Sequence, residues 1–197
     1  MDGDLYADIL WRNTSTGQVV VWFMKSDATI DQAVSYGNVN LSYQIRGLAD
    51  VDGDWIKDIV WFQPSTGQVV IWNMHPGGSY TGWFPGNVGP GSGWDIYRVG
   101  DFDGDGREDL FWRNGNGATA VWYLNGPTIK VSQFLVGVPL SEWSMQAIGD
   151  YDFDGREDIL WYSTSNSNVI RWRMQGPFLA PIVEGIGGIG TGWQSVQ

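Results

Sequence analysis

The sequence predicts an all-β protein built from four copies of one four-stranded unit. Three observations carry this prediction: aromatic residues that recur at a constant spacing, short β-branched runs parted by turn residues, and an acidic loop that returns at the same spacing. Trp11, Trp61, Trp112 and Trp161 recur at intervals of 50, 51 and 49 residues. Trp22, Trp72, Trp122 and Trp172 recur at 50 throughout, and Tyr43, Trp94, Trp143 and Trp193 at 51, 49 and 50. A period of this length is that of propellers and solenoid arrays.

The second unit shows how each copy is read. Tyr43 to Ala49 alternates and leads into the acidic loop. Ile59-Val60-Trp61-Phe62 is a short apolar strand, Pro64-Ser65-Thr66-Gly67 a turn, and Gln68 to Trp72 a second β-branched run. Two such runs around a Gly-containing turn form a hairpin. The first unit repeats the turn as Asn13-Thr14-Ser15-Thr16-Gly17 and the third as Asn114-Gly115-Asn116-Gly117. A fourth, less regular strand precedes the Gly-rich link to the next unit, with Phe134-Leu135-Val136 its clearest instance. No segment holds a 3.6-residue apolar period, so essentially no helix is expected.

Four antiparallel strands per unit describe a blade, and the chain is predicted to be a β-propeller of four four-stranded blades. The blades span about 1–42, 43–93, 94–142 and 143–192, and residues 193–197 complete the first blade as its lead-in strand. A four-blade portion of a larger ring, or half of an eight-bladed dimer, accounts for the same repeat. The recurrent aromatics are read as packing between blades, because large flat side chains fill the wedge between sheets.

The acidic loop is Asp-x-Asp-x-Asp-x-x-x-Asp. It occurs as Asp50-Asp52-Asp54-Asp58, Asp101-Asp103-Asp105-Asp109 and Asp150-Asp152-Asp154-Asp158. Carboxylates this close repel one another unless a cation sits among them. Oxygen ligands at alternate positions suit calcium, which takes six to eight oxygens in a flexible shell; magnesium keeps its waters and demands an octahedron. The seventh-position carbonyls of Ile56, Arg107 and Arg156 are candidates for a further oxygen. A truncated copy opens the chain, with Asp2, Asp4 and Asp8 at positions three, five and nine and Tyr6 at seven. Three calcium sites are expected, with a weaker fourth in that first loop. An EF-hand would need Glu at position twelve and flanking helices; position twelve here is Trp61, Trp112 or Trp161.

Charge points the same way. Seventeen of the 22 acidic residues lie in the four loop windows, and the other five face 11 Lys and Arg. The net charge of −11 therefore belongs to the loops. With a pI near 4.2 and no basic run, nucleic acid is not an expected partner. No apolar run approaches ~18 residues, so no membrane insertion is expected. Zero cysteines exclude thiol chemistry.

Gly100-Asp101-Phe102-Asp103-Gly104-Asp105-Gly106-Arg107-Glu108-Asp109-Leu110-Phe111-Trp112 resembles the FG-GAP/VCBS repeat. That family includes the calcium-binding blades of integrin α-subunit propellers, many secreted bacterial proteins and lectin-like propellers. The resemblance implies that each loop links the first and second strands of its blade on one rim. It also implies calcium ligation by loop positions one, three, five, seven and nine. The chain departs from the pattern at its truncated first loop, at Trp55-Ile56-Lys57 in the second, and at Phe153 in the fourth, where the third has Gly104.

Catalysis has little support. His75 is the only histidine, no Ser sits in a Gly-x-Ser-x-Gly elbow, and Glu142 and Glu184 are isolated. The expected role is a non-catalytic, secreted recognition or adhesion module for glycan or an extracellular protein. Trp83, Phe84 and Trp55 are aromatics outside the repeat and the candidate ligand residues. The remaining readings are a structural or assembly unit, with a homo-oligomer formed by ring closure or blade stacking, or an appendage of a secreted hydrolase or lyase.

Overall fold

In the computed structural model, residues 1–139 and 141–190 are described. They form fifteen strands in four antiparallel sheets, each drawn from one repeat. The first sheet is β1 (Ile9–Arg12), β2 (Gln18–Met24) and β3 (Ile30–Asn38). The second is β4 (Gln44–Ala49), β5 (Asp58–Gln63), β6 (Gln68–Met74) and β7 (Tyr80–Trp83). The third is β8 (Trp94–Gly100), β9 (Asp109–Asn114), β10 (Thr119–Asn125) and β11 (Thr128–Phe134). The fourth is β12 (Trp143–Gly149), β13 (Asp158–Ser163), β14 (Asn168–Arg173) and β15 (Ile182–Gly188). Strands pair in chain order within every sheet, as in blades. The strand expected to complete the first sheet, residues 193–197, lies outside the described residues.

Turn chemistry sets the hairpins. Gly67 turns β5 into β6 at φ 75°, and a Cβ there would lie 2.4 Å from the Gly89 carbonyl oxygen. Gly17 and Gly117 repeat this conformation, and Ser167 takes the place in the fourth sheet at φ 61°. The lead-in strands β4, β8 and β12 each slip register once, between Ile45 and Gly47, Ile96 and Arg98, and Met145 and Ala147. Such bulges sharpen the local twist. One expectation is corrected here. The fourth strand of the third unit is Thr128–Phe134, so Leu135 and Val136 lie beyond it. Its hairpin is tight, Asn125 pairing with Thr128, so the return strand begins earlier than the Phe134-Leu135-Val136 run indicated.

The core lies between sheets rather than within them. One apolar cluster joins the first and second sheets through Val19, Ile59, Trp61 and Met74. Another joins the second and third through Val60, Phe62, Leu110, Trp112 and Trp122. The last joins the third and fourth through Phe111, Val121, Ile159, Trp161 and Trp172. Each sheet thus presents a back face to the front face of the next. Trp61, Trp112 and Trp161 are at most 1% exposed, so these three pack between blades as expected, whereas Trp11 of the first sheet is exposed.

Candidate metal centre

The acidic loops connect the first and second strands of the second, third and fourth sheets: 50–57, 101–108 and 150–157. The truncated loop 2–8 precedes β1. All four lie at the same ends of their sheets, because each sheet repeats the same strand directions.

The first-position aspartate folds each loop around itself. Asp50 Oδ1 accepts the N–H of Gly53 at 2.7 Å and of Asp54 at 3.1 Å, and Oδ2 accepts that of Trp55 at 2.8 Å. Asp101 repeats this with Gly104, Asp105 and Gly106, and Asp150 with Asp154 and Gly155. The fifth-position carboxylate receives the seventh-position N–H in every loop: Tyr6 to Asp4 at 2.9 Å, Ile56 to Asp54 at 2.8 Å, and Arg107 to Asp105 and Arg156 to Asp154 at 3.0 Å.

The ninth-position aspartate ties the loop to the hairpin. Oδ1 of Asp8, Asp58, Asp109 and Asp158 accepts the N–H of Met24, Met74, Leu124 and Met174 at 3.0, 2.8, 2.8 and 3.0 Å. Those donors recur every 50 residues, a signal present in the sequence but masked by their ordinary apolar identity.

The structure gathers some predicted ligands more tightly than others. Carboxylate oxygens lie within 4.8 Å of one another in four groups: Asp2, Asp4 and Asp8; Asp50, Asp52 and Asp58; Asp101, Asp103 and Asp109; Asp150, Asp152 and Asp154. Asp54, Asp105 and Asp158 stand outside these groups.

Burial makes the clusters costly without a cation. Asp58, Asp109 and Asp158 are fully buried. Desolvation, aided by Asp52 and Asp54, pushes the Asp58 carboxyl up to about 7 despite N–H bonds from Met74 and Val51. Desolvation and the charges of Asp103 and Asp101 push Asp109 up to about 9. Burial likewise raises Asp158, Asp101, Asp54 and Asp2. Asp158 Oδ2 and Asp152 Oδ1 are buried without a hydrogen-bond partner, and the nearest cation to the former is Arg171 at 3.7 Å. Orphaned buried acceptors are rare and call for a donor or an ion. Protein cations answer part of the charge. Lys130 Nζ lies 2.7 Å from Asp103 and 3.1 Å from Asp105, Arg173 3.5 Å from Asp152, and the Met1 ammonium 2.7 Å from Asp8. An all-carboxylate donor set with orphaned oxygens fits a hard divalent cation.

Two residues outside the predicted ligand set grip the neighbouring loop. Glu108 donates its N–H to the Asp50 carbonyl at 2.8 Å and accepts the Asp50 N–H on Oε2 at 2.5 Å. Glu157 does the same to Asp101, at 2.7 and 3.0 Å. The eighth position of one loop thereby holds the first position of the loop before it. Lys57 occupies the eighth position of the second loop and pairs with Glu108 instead.

The loop tips are apolar. Leu5, Trp55 and Phe153 adopt φ of 74°, 71° and 60°, and are 94%, 89% and 93% exposed. Gly104 and Gly106 hold the corresponding places in the third loop at φ 77° and 82°. Leu5, Tyr6 and Trp55 share a cavity of about 560 Å³ with Asp54, Lys57 and Pro76. The other candidate aromatics lie elsewhere. Trp83 is half-buried against the cluster between the second and third sheets. Phe84 lines a small cavity with Tyr43, Trp61 and Trp72, toward the turn end of the second sheet and away from Trp55.

The model of the FG-GAP-like repeat family matches residues 50–112 and 101–161, together more than half of the chain. No curated protein matches it. The matched residues begin and end on the acidic loops and buried tryptophans described above, and the chain belongs to the FG-GAP-like repeat family.

Proposed function

We propose that the chain is a non-catalytic, extracellular recognition module that binds glycan at its loop rim and whose loops are held by calcium. The observation that carries this reading is the apolar loop tips. A left-handed backbone costs a non-glycine residue roughly 1–2 kcal/mol, and exposing Trp55 or Phe153 forgoes the burial of a large apolar side chain. Three loops bear both costs, Leu5 and Trp55 at the sixth loop position and Phe153 at the fourth. Trp55 and Tyr6 offer ring faces for the apolar side of a sugar, and Asp54 and Lys57 line the same cavity as hydroxyl partners.

Bound calcium would supply the positive charge the carboxylates lack. Asp50, Asp52 and Asp58, Asp101, Asp103 and Asp109, and Asp150, Asp152 and Asp154 would hold three ions. The first loop, with the Met1 ammonium on Asp8, would be the weakest. The loop aspartates are turned inward on their own N–H groups, which supports a structural role for the ion.

Two measurements test this. Calorimetric titration of chelator-stripped protein should give three calcium ions per chain and a melting temperature that rises with calcium. A stripped protein that takes up none refutes the metal reading. A glycan array in millimolar calcium, with Trp55→Ala alongside, should show binding to one sugar class that the variant loses. A blank array from folded, calcium-loaded protein refutes the glycan reading.

A further inference from the structure

The front face of the first sheet is bare. Ile9, Trp11, Val20, Trp22 and Met24 line it, the same five residue types as Ile59, Trp61, Val70, Trp72 and Met74 on the front of the second sheet. On the second, third and fourth sheets this face is sealed by the preceding sheet. Trp11, in contrast, is 46% exposed and Ile9 39%. The surface is nonetheless preformed. The Trp11 and Trp22 rings lie 5.0 Å apart at 56°, against 5.1 Å and 56° for both Trp61–Trp72 and Trp161–Trp172.

The face that fits it is also present and only partly covered: Tyr162 is 8% exposed, its hydroxyl bonded to the Gly190 carbonyl, but its flanks are less buried. At each internal joint, one side chain from the preceding back face sits on the front tryptophan: Arg12 on Trp61, Phe62 on Trp112, Arg113 on Trp161. Tyr162 holds that place on the back of the fourth sheet, flanked by Leu160 and Val169. Leu160 and Val169 are half-buried, where their counterparts Val60, Val69, Phe111 and Thr119 are fully buried. Farther toward the acidic rim this back face carries Arg171 and Arg173. The rim beside the bare front face carries Asp2, Asp4 and Asp8, but Arg171 and Arg173 are already paired with Glu184, Asp158 and Asp152, so the fit rests on the repeated apolar geometry. Among the described residues, no apolar cluster, hydrogen bond or ion pair joins the first and fourth sheets.

We propose that the bare front face docks the back face of the fourth sheet of a second copy of this chain. A pair that makes the joint twice is the closed case of a head-to-tail contact and leaves no face over. The joint reuses the geometry of the three internal ones but lacks the glutamate clamp of the second–third and third–fourth joints. Ala7 stands where Glu108 and Glu157 grip a neighbour, so the pair dissociates on dilution.

Sedimentation of the full calcium-loaded chain over a range of concentrations tests this. The expected mass is twice 21.9 kDa, falling to one copy on dilution. Trp11→Asp on one face and Val169→Asp on the other should each leave a single copy. Mixing the two variants should restore the pair through the one joint they keep intact, so a failure of either to fold is recognised by its absence from the mixture and by its melt. A single-copy mass at every concentration overturns the proposal, as does a larger polymer. So does a pair that survives Trp11→Asp or Val169→Asp.

Discussion

Glu108→Ala removes a side chain that is no predicted metal ligand, and the structure says what the loss does. The carboxylate receives the N–H of Asp50 at 2.5 Å and lies against the Lys57 ammonium. Asp50 is only 8% exposed, so its N–H is left without a partner and without ready access to water. A hydrogen bond to a charged group is worth about 1.5–3 kcal/mol, and stranding a buried donor costs about the same. The Lys57 contact is solvated and adds little. A loss of about 2 kcal/mol is expected in denaturant unfolding of calcium-free protein, with Glu108→Gln falling between because its amide oxygen still accepts. The second readout is specific to position. Glu108 belongs to the third loop but holds the first ligand of the second, so calcium titration should show one weakened site in the second loop. Stability within 0.5 kcal/mol of the parent, with all calcium affinities unchanged, would refute the idea that loops are braced by their neighbours.

Acid should stabilise the calcium-free protein. Folding holds Asp58 up to about 7 and Asp109 up to about 9, above their ordinary value of 3.8, so ionising them costs folded stability. Their favourable contribution is complete below pH ~4 and is lost as pH rises through those values; the melting temperature in chelator should fall across that window, and Asp109→Asn should flatten the fall. Trp61→Ala should cost about 3–5 kcal/mol, and Trp11→Ala much less in dilute protein, because Trp61 is 1% exposed and Trp11 46%; equal losses by chemical denaturation would contradict the bare first face. Trp55→Gly should leave the melting temperature level or higher, since relief of roughly 1–2 kcal/mol of left-handed strain outweighs about 0.4–1 kcal/mol of added unfolded-chain entropy. A melt lowered by several degrees would show that the Trp55 side chain stabilises the fold.

Much of the fold was legible because blades repeat. Period, hairpin turns and strand alternation are local properties, and Trp61, Trp112 and Trp161 announced their burial by spacing alone. The acidic spacing was legible too, but that Asp50, Asp101 and Asp150 receive the N–H groups of their own loops was not. The Phe134-Leu135-Val136 run misled because apolar character did not mark where the strand lies: Phe134 and Val136 are exposed, and the strand is set by the tight Asn125–Thr128 turn. The Glu108 and Glu157 grip was invisible for another reason: an isolated glutamate has no local signature, and its partner lies 58 or 56 residues away on another sheet.

The order of β-elements, the repeat and the acidic loops are thus determined by the sequence itself, through short-range chemistry that each unit carries alone. Tertiary structure alone decided three things. It buried Asp58 and Asp109 deeply enough to lift their proton affinity. It drew Trp83 into packing while leaving Trp55 in water. It also made Trp11 different from three tryptophans of identical local sequence role. Exposure is a property of the neighbouring sheet, and the first front face has no described sheet before it.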